Sequence, residues 1–235
     1  MDDVSSKKNP EFRKKSQHFI DIFYIKESLN EVQKNFSEIN SQLTDRREDL
    51  NDTVKDNMIS AYRYLNRILY EKKDIFLKDV SSMLELNYIV LCGVDMGKRI
   101  EANQYLNETQ HRFYDFVKPI IKWYKKHKDE SPLKVASEIY VGVLSRPQLF
   151  FEGNHRTGSL IVSYILVKAG YPPFVLNVKN AVAYFEPSSM IKFTDKRELS
   201  GKLKLPKYKK SFKKFLEEVL EPTSNMITKE YKKEE

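Results

Sequence analysis

Residues 146–170, RPQLFFEGNHRTGSLIVSYILVKAG, join a polar, glycine-containing loop to the most hydrophobic run of the chain. Between Leu160 and Val167 only Ser163 interrupts the apolar residues. A helix apolar on every side is surrounded by the rest of its domain rather than laid on the surface. The loop ahead of it, residues 151–158, therefore sits where a buried helix meets solvent. The first four N–H groups of a helix lack intrahelical partners and carry the positive end of its dipole, which makes such an end a ready anion site. Gly153 allows positive φ or close approach of a ligand to the backbone, and Asn154 can bond neighbouring backbone groups and stiffen the turn. Arg156 adds a planar cation suited to phosphate oxygens. Glu152 supplies one hard carboxylate beside the anion site, which is what a nucleotide-bound Mg²⁺ takes from a protein. The same residues also fit a plain helix start capped by Asn154, with Arg156 on the surface.

The stretch resembles the signature of the Fic/Doc (Fido) family, H-P-F-x-[DE]-G-N-[GK]-R followed two residues later by a second Arg. Phe150, Glu152, Gly153, Asn154 and Arg156 match it. Gln148 stands in place of the His, Leu149 in place of Pro, His155 in place of Gly or Lys, and Ser159 in place of the second Arg. The flanks LELNYIVLCG and YILVKAGYPPFVL also resemble Fic-like proteins, which extends the likeness over residues 45–195. The resemblance implies an all-α Fic-like domain at residues 46–195 with a small β-hairpin flap, for which residues 93–106 are the candidate beside a plain surface loop. An N-terminal helical extension (1–45) and a basic C-terminal helix and tail (196–235) flank it. It further implies that Gly153, Asn154, His155, Arg156 and Thr157 bind the phosphates of ATP or another nucleotide. Glu152 would hold Mg²⁺, and Phe150 would anchor the loop in the core. The implied reaction moves AMP, or another nucleotidyl or phosphoryl group, to a hydroxyl of an unknown target protein. The alternative is a catalytically inactive pseudoenzyme that serves as a nucleotide-binding or protein-interaction module.

The departure at Gln148 falls on the step that needs a base. A carboxamide orients a hydroxyl by accepting its hydrogen bond but does not take its proton near neutral pH. His155 is the nearest substitute by residue type, its ordinary pKa of about 6.5 suiting the work. In the family, however, that position faces the phosphates. An inhibitory S/T-x-x-x-E segment also occurs in the family, and Thr44 and Glu48 have that spacing. Asp49 follows instead of Gly or Asn, and Ser159 offers no cation to pair with, so built-in inhibition of that kind is not expected.

The 235 residues suffice for one domain with appendages and a real core. A single cysteine, Cys92, excludes a disulfide framework and fits a reducing compartment. The early acids of residues 1–7 precede no apolar stretch, so no secretory signal is evident, and no apolar run approaches the roughly 20 residues that span a bilayer. Cytoplasm is the expected location, although an effector exported by another signal shares these features.

Few glycines and abundant Lys, Glu, Leu and Ile favour helix throughout. The periodicity predicts helices near residues 19–36, 52–70 (capped by Asp52 or Thr53), 83–91, 108–127, 132–144 and 181–191, and a last one at 208–220. Residues 41–51 read as a polar loop or fraying helix end, and residues 7–15 as a frayed basic terminus. His111 and His127 have no metal-ligand spacing around them. Residues 192–214 hold ten Lys or Arg against two acids, an excess equal to the whole chain's formal +8. Such a cluster suits nucleic acid or an acidic surface, or is the solvated face of a helix with Phe212, Phe215, Leu216 and Val219 inside. No nucleic-acid motif accompanies it.

Overall fold

The motif helix lies at the centre of an all-α architecture in a computed structural model that describes residues 17–220 and a strand at 226–229. In chain order the elements are β1 (Gln17–Ile20), α1 (Ile22–Lys34), α2 (Phe36–Ser41), α3 (Asp52–Tyr70), α4 (Ser81–Cys92), α5 (Met96–Glu101) and α6 (Asn103–His127). Then follow α7 (Pro132–Leu144), α8 (Asn154–Lys168), α9 (Ala181–Lys192), α10 (Leu199–Val219) and β2 (Met226–Lys229). The two short strands pair antiparallel, Gln17 opposite Lys229 and Ile20 opposite Met226. The expected frayed stretch at 7–15 lies outside the described residues.

Helix α8 is buried at every residue from Thr157 to Val167, packed between α3, α4 and α7. Its closest neighbour is α7, and the approach is set by Gly158, where a Cβ would come within 3.2 Å of the Tyr140 ring. Ser163, the one polar interruption, is satisfied: its hydroxyl lies 3.0 Å from both the Ser159 and the Phe174 carbonyls. Gly170 ends the helix at φ +84°, and Tyr171 N–H reaches back to the Leu166 carbonyl at 2.9 Å.

One buried cluster takes residues from both ends of the chain. Ile25 and Leu29 of α1, Leu65 and Ile68 of α3, Phe113 and Val117 of α6, Tyr140 of α7 and Phe212 and Leu216 of α10 all belong to it. Each such side chain contributes about 1.5–3 kcal/mol on burial, so α1 and α10 are part of what holds the motif helix in place. A second, smaller cluster of Val32, Phe36, Ile39 and Ala181 seats α2 against α9.

Local signals place most boundaries where expected, with three differences. The cap of α3 is Asn51, whose side chain accepts from Val54 N–H at 2.9 Å, rather than Asp52 or Thr53. Helix α10 begins at Leu199 and runs through Pro206. The β-hairpin flap expected at 93–106 is instead helix α5 and the first turn of α6. The reason is local: Asp95 caps α5 by accepting from Gly97 N–H at 2.8 Å. Arg99 then locks α5 to α4 with two bonds to the Glu85 carboxylate, 3.1 and 2.9 Å, and two to the Gly93 carbonyl, 3.2 and 2.9 Å.

The basic segment is divided among several duties. Lys209 pairs with Glu138 of α7, and Lys213 and Lys214 pair with Glu217 and Glu218 one turn on. Lys196 is largely buried and donates to the Gly142 carbonyl at 2.8 Å at the C-terminal end of α7, where the helix dipole favours a cation. Burial lowers its ammonium to about 8. Among the described residues no helix is long and apolar enough to cross a membrane.

Candidate functional site

The loop between α7 and α8 is built from the core outward. Leu149 and Phe150 are fully buried, and the Phe150 ring stacks on Phe113 with centroids 5.6 Å apart. Asn154 then fixes the turn with both ends of its amide: Oδ1 accepts from Phe150 N–H and Nδ2 donates to the Phe150 carbonyl, each at 2.9 Å. Gly153 between them adopts φ +71°, a left-handed conformation that costs a side-chain-bearing residue energy. A Cβ there would also meet Asn87, Val90 and Leu91 of α4 at 3.0–3.3 Å. Asn87 bridges the two sides of the turn, donating to the Glu152 carbonyl at 2.9 Å and to the buried Thr157 hydroxyl at 3.0 Å. Asn154 and Thr157 are thereby structural members of the turn, their side chains engaged within it.

This framework leaves the N-terminus of α8 open. Gly153 is its N-cap and supplies no side-chain acceptor, so the first-turn N–H groups have no side-chain cap. Beside that end lies a cavity of about 470 Å³, walled by Gln148, Glu152, His155, Arg156 and Ser159, a size suited to a nucleotide-scale ligand. Arg156 is held by a long bond to the Val90 carbonyl, 3.4 Å. Burial pushes its guanidinium down from the ordinary value, while the carboxylates of Glu48 and Glu152 pull the other way. Glu152 is exposed at the mouth, beside the exposed Phe151, whose ring meets Tyr105 edge-on at 5.4 Å. A single outward carboxylate next to an anion site suits a phosphate-borne Mg²⁺, which needs only one or two protein oxygens. No group of three or more His, Cys, Asp and Glu suited to a metal occurs among the described residues.

His155 is not placed as a base. Its Nε2 lies 3.2 Å from Arg47 Nη1, and since an arginine only donates, that nitrogen is the acceptor and Nδ1 carries the proton. Nδ1 is buried without a partner. Burial, then the charges of Arg47, Lys192 and Arg156, lower the imidazole to about 3. The ring is neutral across the physiological range and its lone pair is already bonded. Because an unfolded His binds its proton near 6.5 and this one near 3, the unfolded state holds more protons throughout that window. The contribution of His155 to stability is present above about 6.5 and lost as pH falls toward 3. The melting temperature of the natural chain should therefore drop more steeply over that range than that of His155→Gln; parallel curves would refute the assignment.

Gln148 lines the same cavity, half-buried, with its backbone carbonyl accepting from Arg112 Nε at 3.0 Å. Ser159, at the position of the second motif Arg, is buried against the cavity wall and donates to the Arg156 carbonyl at 2.8 Å. The structure also brings Arg46 and Arg47, which no motif marks, into the site. Residues 41–51, read as a polar loop, wrap over the cavity and carry Arg46, Arg47, Glu48 and Asp49 to its wall. Only the spacing of Thr44 and Glu48 points to this loop, and Glu48 does line the cavity beside Arg156; for Arg46 and Arg47 the run of charge is what any surface loop shows, and the cavity-side partners of Arg47 lie more than 100 residues away.

No protein-family model matches the chain. Among curated proteins it is similar to the protein adenylyltransferase fic-1 of Caenorhabditis elegans, 29% identical over 143 residues, covering 54% of this chain and 27% of that protein. The chain thus spans about a quarter of the length of that relative. Among solved structures it is similar to a Fic domain containing signaling protein from Bacteroides thetaiotaomicron, at a TM-score of 0.45 and 16% identity over 83% of this chain and 87% of that one.

Proposed function

We propose that the chain is a divergent Fic-like protein, as its motif and its similarity to a protein adenylyltransferase support, and that it binds the phosphates of a nucleotide at the N-terminus of α8 and transfers a nucleotidyl group to a protein hydroxyl. The observation that carries this reading is the open, positively polarised start of α8, rigidly presented by Gly153 and Asn154 with Arg156 and Glu152 at its sides. Helix N–H groups and the Arg156 guanidinium hold phosphate oxygens. Glu152 would hold Mg²⁺, which when bound neutralises phosphate charge.

For transfer of AMP, the target's hydroxyl oxygen attacks the α-phosphorus of ATP, the bond from that phosphorus to the bridging oxygen breaks, and pyrophosphate leaves. The hydroxyl proton must go elsewhere. Gln148 accepts a hydrogen bond and aligns the hydroxyl but does not take the proton, and His155 is bonded to Arg47. Water is then the proton acceptor, and turnover runs about 10²–10⁴-fold below that of a site with a positioned base. A second reading, a nucleotide-binding module without transfer, is favoured by that same lack of a base.

Label transfer from α- and γ-labelled ATP into cell lysate, with UTP, GTP and CTP alongside, separates the two. Weak transfer abolished by Arg156→Ala is the expected result, and the label position names the group moved. Nucleotide binding that depends on Arg156 with no transfer from any donor would establish the second reading instead.

A further inference from the structure

Arg47 is set into the site by more contacts than a surface loop needs. Its peptide is gripped at both ends by one side chain, Asn40, which accepts from Arg47 N–H at 2.7 Å and donates to the Arg47 carbonyl at 2.9 Å. Its guanidinium donates to the Phe185 carbonyl at 3.2 Å and to the Ser189 hydroxyl on α9, and sits 5.4 Å from the Phe185 ring centre. The side chain is only 13% exposed, and its one nearby acid, Asp45, is 3.7 Å away. Its Nε–H remains buried without a partner. The neighbouring His155 Nδ1 is likewise an unpartnered buried group at the cavity wall. A desolvated guanidinium with an unused donor costs free energy unless a ligand completes it.

The position is equally specific. Through its 3.2 Å contact with His155, the second residue of α8, Arg47 stands one side chain away from the helix N-terminus, on the α9 side of the cavity. Lys192 of α9 lines the same wall. Arg47 and Lys192 thus bring two cations to one wall with a single carboxylate, Asp45, loosely between them at 3.7 and 3.9 Å, beside the wall formed by Arg156 and the helix end. Ser159, inside the motif, provides no cation.

We infer that Arg47 is a phosphate-binding residue of this site, supplied from the loop between α2 and α3, and that it reaches a phosphate beyond the one held by Arg156 and the helix end. The inference rests on the nucleotide reading above. Glu48, from the same loop, lines the same cavity as Arg156, and a carboxylate there opposes an anion. The two neighbours should thus have opposite effects when removed.

Titration calorimetry on the full chain with ATP, AMP and inorganic tripolyphosphate tests this. Arg47→Ala should weaken ATP and tripolyphosphate by about 10- to 100-fold, the weight of a charge-assisted hydrogen bond, and change AMP by less than about 2-fold. Arg47→Gln, which keeps a donor for Ser189 and Phe185 and so protects the fold, should show the same selective loss. Glu48→Ala should tighten both polyphosphates. If Arg47→Ala or Arg47→Gln binds ATP as well as or better than the natural chain, the loop is a plug over the cavity and the inference is overturned. ATP binding that needs Arg156 but not Arg47 removes this inference alone. No binding of ATP, AMP or tripolyphosphate by the natural chain removes the nucleotide reading with it.

Discussion

Gln148→His is expected to raise label transfer by about 10²–10⁴-fold, the usual weight of general-base assistance. The substitution puts an imidazole at the cavity wall without disturbing the frame below it, because Leu149 and Phe150 are held by core packing and by Asn154, not by the Gln148 side chain. The pH dependence has a definite sign. The new His acts when neutral, so transfer rises with pH through its pKa and then levels. Arg112, whose Nε bonds the carbonyl of residue 148, disfavours the protonated ring and moves that rise below the ordinary value of about 6.5. Single-turnover rates from pH 5 to 8 measure both effects. A variant that still binds ATP but transfers no faster than the natural chain would mean that the hydroxyl is not presented at residue 148.

The second large effect is on stability. Asn154→Ala removes both partners of the Phe150 backbone at once, leaving an N–H and a carbonyl of a fully buried residue unsatisfied. At about 1–3 kcal/mol for each of the two orphaned groups, the loss is about 2–6 kcal/mol. For a chain of this size that is a fall in melting temperature of about 4–24 °C. Arg156→Ala is the matched comparison: its one protein hydrogen bond is long, so it should lose ligand while melting within a few degrees of the natural chain. Equal melting temperatures for Asn154→Ala and the natural chain would show that the turn is held by packing alone. The two variants together separate a frame residue from a ligand residue within three positions of one motif.

Much of the architecture was legible in the chain because its causes are local. The all-apolar run at 160–167 marks a helix surrounded by protein, and α8 is buried along that length. Pro132 opens α7, Gly170 closes α8, and the periodicity of 52–70 marks α3. These signals act within a turn or two of backbone, so a single sequence carries them. Gly153 and Asn154 were legible in the same way, since a glycine before a buried helix followed by an amide is a turn with its own physical chemistry.

The misread parts have causes of two kinds. The hairpin expected at 93–106 gave way to helix because Asp95 caps it and Arg99 ties it to Glu85, fourteen residues back. In the loop at 41–51 only the spacing of Thr44 and Glu48 stood out, and Arg47 gave no sign of its importance, because its meaning depends on what lies opposite. Only the folded chain sets Arg47 against His155, Phe185 and Ser189, places Asn87 across the turn, and pairs strand 17–20 with strand 226–229. The sequence by itself therefore determined most of the helices and the turn at Gly153 and Asn154, whose causes are backbone conformation and hydrophobic period. The tertiary structure alone decided which charges share the cavity and that His155 stays neutral, because those depend on burial and on distances between residues that packing, not sequence neighbourhood, brings together.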